Sequence, residues 1–358
     1  MATTLITSLA AVRFTSDIPD LVFSTDGTRT EVAIGMYGRD ILHEDYYAYN
    51  GRVTVRDIRS VIEQEMRSNN DIYATVTITA GNYRTTMGVI YCSMAVVNFN
   101  QPMLGTCFLT TLQAKQLPRD PLASDYLCFY ASKDMTEDVW FHITYIGKGE
   151  ELPTTISVQA GTVHAQNECV LVYSLKCYTL MHHCPEGSKI LLATVEIGGK
   201  SMTYYFTDET PNLMLWFRNA FNCPEIALLT CMTSEVAKAD RSVAIVGGTS
   251  RFYDQKDSMV YEVETAPLAL EQARWLEQLV LSHDVAKMDS FVDIEDDDFG
   301  NMQSVIITDS TCEIQDGDEE LNRIKFTYQF SDVRPRIEFR GKGAEGRVFA
   351  EEFSLSFT

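Results

Sequence analysis

The sequence is short of the features that announce a reaction or an address. Nine cysteines are scattered without a single CxxC pair, and their number is odd. Such spacing points to reduced thiols packed as small apolar residues, and the first residues, MATTLITSLAAVRF, lack the basic lead of an export signal. The expectation is therefore a protein folded in a cytoplasm. No apolar run approaches the length of a membrane span, which predicts no membrane insertion. Positive charge is scarce: 29 Lys and Arg stand against 50 Asp and Glu, a net charge of −21. That surface repels phosphate backbones, so nucleic acid is not expected as a partner. The nearest thing to a basic patch is Arg334, Arg336, Arg340, Lys342 and Arg347, read as solvated or paired charges.

Catalytic signatures are missing as well. There is no GxSxG, and six histidines select no triad. Gly247-Gly248 follows a strand but lacks the lysine and helix of a phosphate-binding loop. Carboxylate pairs for glycoside hydrolysis are too common here to single out. The expectation is a protein with no catalytic residues, no cofactor and no metal.

Two metal candidates were weighed against that reading. His164, Cys169, Cys177, His182, His183 and Cys184 offer six ligands within 21 residues. Zinc wants two closely spaced pairs, and H-x4-C-x7-C-x4-H is not such a module, so buried cysteines and loop histidines are preferred. The acidic loop Asp293–Asp298 could offer oxygens to calcium, but Asp298 stands where an EF-hand needs glycine. Asp316-Gly317-Asp318 is a second such turn. A solvated acidic turn, or an acidic face for a basic partner, is preferred to calcium.

What the sequence does contain is strand pattern. Hydrophobic content of 45% and charged content of 22% suit a globular chain with sizeable cores. Short alternating runs recur between turn residues. Leu21–Phe23 and Val32–Met36 flank Asp26-Gly27, a hairpin signal, and Asn50-Gly51 marks another tight turn. Tyr73–Thr79, Gly88–Val97, Phe108–Leu112, Tyr126–Tyr130 and Val139–Ile146 read as strands, with His142 on the polar side of the last. Pro118 and Pro121 keep 117–124 irregular. Thr155–Val158, Cys169–Tyr178, Ile190–Ile197 and Met202–Phe206 follow, the last two joined at Gly198-Gly199. Leu213–Phe217 and Ile226–Thr230 predict a hairpin around the polar stretch Arg218–Glu225. Ser242–Gly247, Met259–Val263, Val305–Ile307, Ile324–Phe330, Ile337–Phe339 and Phe353–Phe357 complete the strands.

Two amphipathic helices stand out. One is capped by Thr54, with Ile58, Val61, Ile62 and Met66 on one face, and ends at Ser68-Asn69-Asn70. The other is capped by Thr265, opens at Pro267, carries Leu268, Leu276, Leu279 and Val280, and closes at Ser282-His283-Asp284. The predicted fold is mainly β: two or three β-sandwich-like domains with two short helices. The expected divisions are 1–100, a β-domain with one helix; 101–264, central β-structure; and 265–358, a helix plus a C-terminal β segment with acidic loops packed on the centre. Asn98–Gly105 reads as the first linker. Residues 284–320 alone hold 13 acids against Lys287. Tyr46, Tyr47 and Tyr49 form an aromatic stretch suited to sugar or protein contact, or to packing between hairpin and helix.

The segment FRNAFNCPE, Phe217–Glu225, resembles a pattern in structural proteins of tailed bacteriophages and prophages of Bacteroides-type bacteria, in which an aromatic strand ends in F-x-N-x-F/G followed closely by Glu. Asn222 stands where many of those proteins have Gly. The order of later elements is similar too: the helix PLALEQARWLEQLVLS, then His283-Asp284-Val285, a strand like Val305–Asp309, and an acidic turn before LNRIKFTYQF. So is Ile41–Glu65, with its Tyr-rich strand, Asn-Gly turn and helix start. The resemblance implies a virion structural protein of the tail or baseplate, assembled in the host cytoplasm as a homo-oligomeric ring beside other virion proteins, without catalysis. No binding residue carries over from it. The alternative is a carbohydrate-binding adhesin module using Tyr46, Tyr47 and Trp140; a glycan-degrading enzyme is a third.

Overall fold

The structure is a computed structural model, and it describes residues 2–96, 103–291, 302–312, 314 and 321–332. The fold is mainly β, as the alternation predicts, built of five sheets and four α-helices among the described residues.

Residues 2–96 form two sheets around one core. β1 (Thr3–Leu5), β3 (Leu21–Thr25) and β6 (Arg52–Val55) make a small sheet. β2 (Val12–Phe14), β8 (Tyr83–Ile90), β7 (Tyr73–Ala80), β4 (Arg29–Met36) and β5 (Arg39–Tyr47) make a larger one, in that order. Leu21, Phe23, Val53 and Val55 from the first face Val32, Ile34, Val76 and Ile78 from the second. α1 (Ile58–Asn69) adds Ile58, Ile62 and Met66 to the same core.

Three local expectations change here. Asp26-Gly27 does not make a hairpin: β3 pairs with β1 and β6, while β4 pairs with β5 and β7, so this turn carries the chain from one sheet to the other. Thr54 does not cap α1, because it is paired within β6, opposite Val22; the helix begins after Asp57, whose φ is 52°. The strand expected at Gly88–Val97 runs over Tyr83–Ile90 instead. Asn50-Gly51 does turn tightly, bridging Tyr49 and Arg52.

In the middle of the chain, α2 (Met103–Thr106) is a single helical turn at the end of the expected linker, whose residues 98–102 lie outside the described set. β12 (Thr154–Ala165), β11 (Met135–Ile146), β14 (Lys189–Ile197), β15 (Lys200–Thr207) and β9 (Ala114–Pro118) form a five-stranded sheet in that order. It faces the pair β10 (Ser124–Ala131) and β13 (Cys169–Lys176) across a core holding Phe129, Phe141, Val195 and Tyr204. Pro118 sits in the edge strand β9, where a missing N–H is tolerated. The strand expected to reach Tyr178 stops at Lys176, and α3 (Cys177–His182) follows, burying Cys177 and Leu180. The strand expected at Phe108–Leu112 does not form. Its apolar residues part company: Phe108 joins this core, Leu109 a seam beside β2 and β8, and Leu112 the core of the next sheet. A flat strand cannot point one short run into three cores.

The last sheet has seven strands: β17 (Pro224–Leu229), β16 (Leu213–Arg218), β20 (Val285–Met288), β21 (Met302–Cys312), β22 (Ile324–Phe330), β19 (Thr249–Thr265) and β18 (Cys231–Val246). Strands from both sides of residue 265 share it. α4 (Leu270–Leu281) packs Ala273, Trp275, Leu276 and Leu279 on one face, with the Trp275 ring 5.6 Å from Phe217. It starts later than expected. Thr265 ends β19 and its hydroxyl accepts the Ile324 N–H, while Leu268 pairs with Asn322. The strands expected at 337–339 and 353–357, and the basic residues 334–347, lie outside the described residues.

Candidate functional site

Two parts of the molecule call for a functional reading: a buried ionic centre under the β16–β17 hairpin, and the β18–β19 ribbon.

The ionic centre is built by four strands and one helix. Lys115 on β9 places Nζ 2.9 and 3.2 Å from the Asp125 oxygens of β10, and 3.1 Å from Glu225 Oε2 of β17. Trp275 Nε1 of α4 donates to Glu225 Oε2 at 2.5 Å, and Asn219 Nδ2 to Glu225 Oε1 at 2.6 Å. The Tyr204 hydroxyl of β15 donates to Asp125 at 2.9 Å. All six side chains are buried. Burial works against the Lys115 charge, but two carboxylates in contact outweigh it and hold its pKa above the ordinary value. Burial raises Asp125 in spite of the opposing pull of Lys115, and burial together with the Asp125 and Glu225 carboxylates raises Tyr204.

A cleft of about 280 Å³ borders this centre, lined by Lys115, Asp125, Gln272 and Trp275 among others. Its chemistry is nonetheless closed. The ammonium spends its donors on carboxylate oxygens, and both Glu225 oxygens accept from buried donors. The arrangement joins the strands β9, β10, β15 and β17 to α4 through buried charge-assisted hydrogen bonds.

The turn Arg218–Glu225 extends that role. Asn219 Oδ1 accepts the N–H groups of Phe221 and Cys223, and its Nδ2 also donates to Leu109 O. Ala220 N–H donates to Gln278 Oε1 of α4, and Ser93 N–H to Ala220 O. Asn222, at φ 62°, sends Nδ2 to Asp71 O at 3.0 Å. The positive φ explains why glycine suits this position. Nearby, Glu168 accepts the hydroxyls of Tyr73 on β7, at 2.9 Å, and Tyr130 on β10. The Tyr73 hydroxyl lies over Gly88, where a Cβ would stand 2.5 Å from it.

The ribbon is the opposite case. β18 and β19 stay paired from Cys231–Thr265 to Val246–Thr249, and Gly247-Gly248, both at positive φ, close the tip. β22 flanks β19 only at Tyr261–Glu264. Beyond that, eleven residue pairs, Val236–Val260 to Val246–Thr249, run on without a third strand among the described residues, an arm of roughly 35 Å. Val243 and Phe252 face each other near the tip, with Ile245 on the same side, 78% exposed. Phe252 is 65% exposed and lies 5.1 Å from the Arg241 guanidinium. A bulge between Ser242 and Val243 twists the arm below this patch. Ser242–Gly247 and Met259–Val263 predicted the two strands, but not their length or exposure.

The residues weighed for metal do not converge. His164 Nδ1 sits 3.0 Å from the Thr136 hydroxyl, Cys177 is buried in the central core, and Cys184 Sγ contacts Leu180 O. Among the described residues no group of three His, Cys, Asp or Glu is placed to share an ion. All nine thiols are free, and burial pushes Cys177 up to about 12. The acidic turns Asp293–Asp298 and Asp316–Asp318 lie outside the described residues. Of the aromatics, Tyr46 packs against the N-terminal core while Tyr47 and Tyr49 stand 77% and 80% exposed. Trp140 is exposed on the polar face of β11, beside His142, which meets Ser157 at 2.8 Å. No helix among the described residues is long and apolar enough to cross a membrane. In comparisons with known proteins, no family model matches the chain and no curated protein is significantly similar to it.

The sequence pointed to neither main feature directly. Asp125 opens the apolar run Tyr126–Tyr130, whereas Lys115 is followed by Gln116 and Pro118 and carries no local sign of burial. Glu225 and Asn219 lie within the FRNAFNCPE pattern.

Proposed function

We propose that this chain is a non-enzymatic structural subunit of a bacteriophage virion, in the tail or baseplate, that joins copies of itself and neighbouring virion proteins through the β18–β19 arm. The observation that carries the reading is the arm. A two-stranded ribbon is marginal in water by itself, and this one holds an exposed apolar patch at its far end. Such an arm gains a third layer or strand when another subunit covers it. The resemblance at Phe217–Glu225 supplies the virion, and assembly in a host cytoplasm accords with nine free thiols. The body supports the same role: its buried polar groups tie sheets and helix together.

The test is the mass of the purified full chain by light scattering, with electron microscopy of the particles. A defined oligomer, reduced to monomer when Lys238–Ser258 is replaced by a short turn, is expected. A wild-type monomer at tens of micromolar would sink the reading. The adhesin alternative draws on the exposure of Tyr47, Tyr49 and Trp140. It predicts a glycan-array signal that Tyr47→Ala or Trp140→Ala removes, where the structural reading predicts none.

A further inference from the structure

We infer that the arm of one copy docks along the outer edge of β12 in the next copy, a head-to-tail contact; this rests on the assembly reading above. Four observations meet at β12. It is an edge strand: it pairs with β11 alone among the described residues. At twelve residues it is long enough to run beside all eleven free pairs of the arm. Its sequence, TTISVQAGTVHA, has no proline, lysine, arginine, aspartate or glutamate, the residues that natural edge strands use to repel partners. Every residue from Thr154 to His164 is exposed or half-buried, and among the described residues no strand lies beyond it.

Charge selects the same pairing. The arm tip, residues 241–253, holds Arg241 and Arg251 and no acid, so it carries +2 in a chain whose remainder is −23. The ribbon that contains β12, residues 132–165, sets Lys133 and Lys148 against Asp134, Glu137, Asp138, Glu150 and Glu151, a net −3. A basic, apolar tip is attracted to this acidic ribbon, whose acids lie at 134–138 and 150–151, and Val243, Ile245 and Phe252 are then covered. Donor and acceptor are different surfaces of the chain, so the contact is heterologous. Repeated, it closes into a ring or runs on as a filament.

The decisive experiment mixes two defective full-length variants. One replaces Lys238–Ser258 with a short turn and can only receive. The other, Thr154→Lys with Gln159→Lys, carries repelling charge on the β12 edge and can only donate. Each alone should be monomeric by light scattering, with assembly weakened at least about thirty-fold, the loss expected for a central hot spot. Mixed, they should form a 1:1 heterodimer and nothing larger. Thr154→Glu with Gln159→Glu disturbs the same positions yet should keep the wild-type oligomer, which separates charge from misfolding. If the lysine variant keeps the wild-type oligomer, or the mixture yields no heterodimer, the β12 contact is wrong while arm-driven assembly stands. If the arm-shortened variant assembles like wild type, the assembly reading falls with it.

Discussion

Two hairpins follow each other in this chain with only Thr230 between them. β16–β17 and β18–β19 are both antiparallel, and both edge the same seven-stranded sheet. One is buried through most of its length and wired to the rest of the molecule. The other leaves the sheet and stands in solvent. Strand pairing is common to both, so pairing does not decide their fates. What differs is the cover: α4 and the β9–β10 strands over the first, and little beyond four residues of β22 beside the second.

The contrast should break first at Glu225. Glu225→Ala leaves the buried Trp275 indole N–H without its acceptor and takes one of two carboxylates from Lys115 and one of two acceptors from Asn219. It should cost about 3–5 kcal/mol, read as a lower midpoint in urea. An unchanged midpoint would mean that the ionic centre is not what holds the first hairpin. Next in size is Asn222. Replacing it with alanine keeps a left-handed backbone that alanine dislikes and loses the bond to Asp71, for about 1–2 kcal/mol. Asn222→Gly should restore the backbone share of that loss, and equal effects for both would refute the φ argument.

A pH titration sharpens the same division. Lys115, Tyr204 and Cys177 all have pKa values raised by their folded surroundings. A raised pKa means the fold favours the protonated form. Its contribution is complete below the unfolded pKa and fades as pH climbs through the folded one. The melting temperature should therefore fall progressively above about pH 9, the ordinary value for the Cys177 thiol. A flat profile up to pH 12 would contradict these shifts. Smallest of all should be the second hairpin's share of subunit stability. Val243→Ser with Phe252→Ser removes apolar groups already in water, and should move the monomer's stability by no more than about 0.5 kcal/mol. A loss above 2 kcal/mol would show that the arm is packed on its own body.

The same contrast shows where sequence reading succeeds. Leu213–Phe217 and Ile226–Thr230 announced the first hairpin because a polar break divides two dense apolar runs. His142 fell on the polar side of β11 because alternation fixes the face. The exposure of Val243, Ile245 and Phe252 was not legible, since an alternating strand reads the same whether its apolar side meets a core or water. Lys115 and Asp125 were missed for another reason: they lie on separate strands, β9 and β10, and Glu225, the second carboxylate on Lys115, is more than a hundred residues downstream, so only the folded sheets bring the three together. Thr54 and Thr265 looked like helix caps by local spacing, yet strand and tertiary contacts claimed both.

The seam that holds Val12, Phe14, Ile90 and Cys92 has a consequence in time. These residues are completed by Leu109, Cys128 and Cys223, and Asn222 closes on Asp71 from 151 positions downstream. Residues 2–96 can build their own core as they leave the ribosome, but that flank stays uncovered until the turn around Asn222 emerges. At about 5–20 residues per second, the wait is roughly ten seconds. During translation the nascent chain thus presents a temporary sticky side, and chaperone capture of stalled chains should be strongest for those ending between residues 100 and 220.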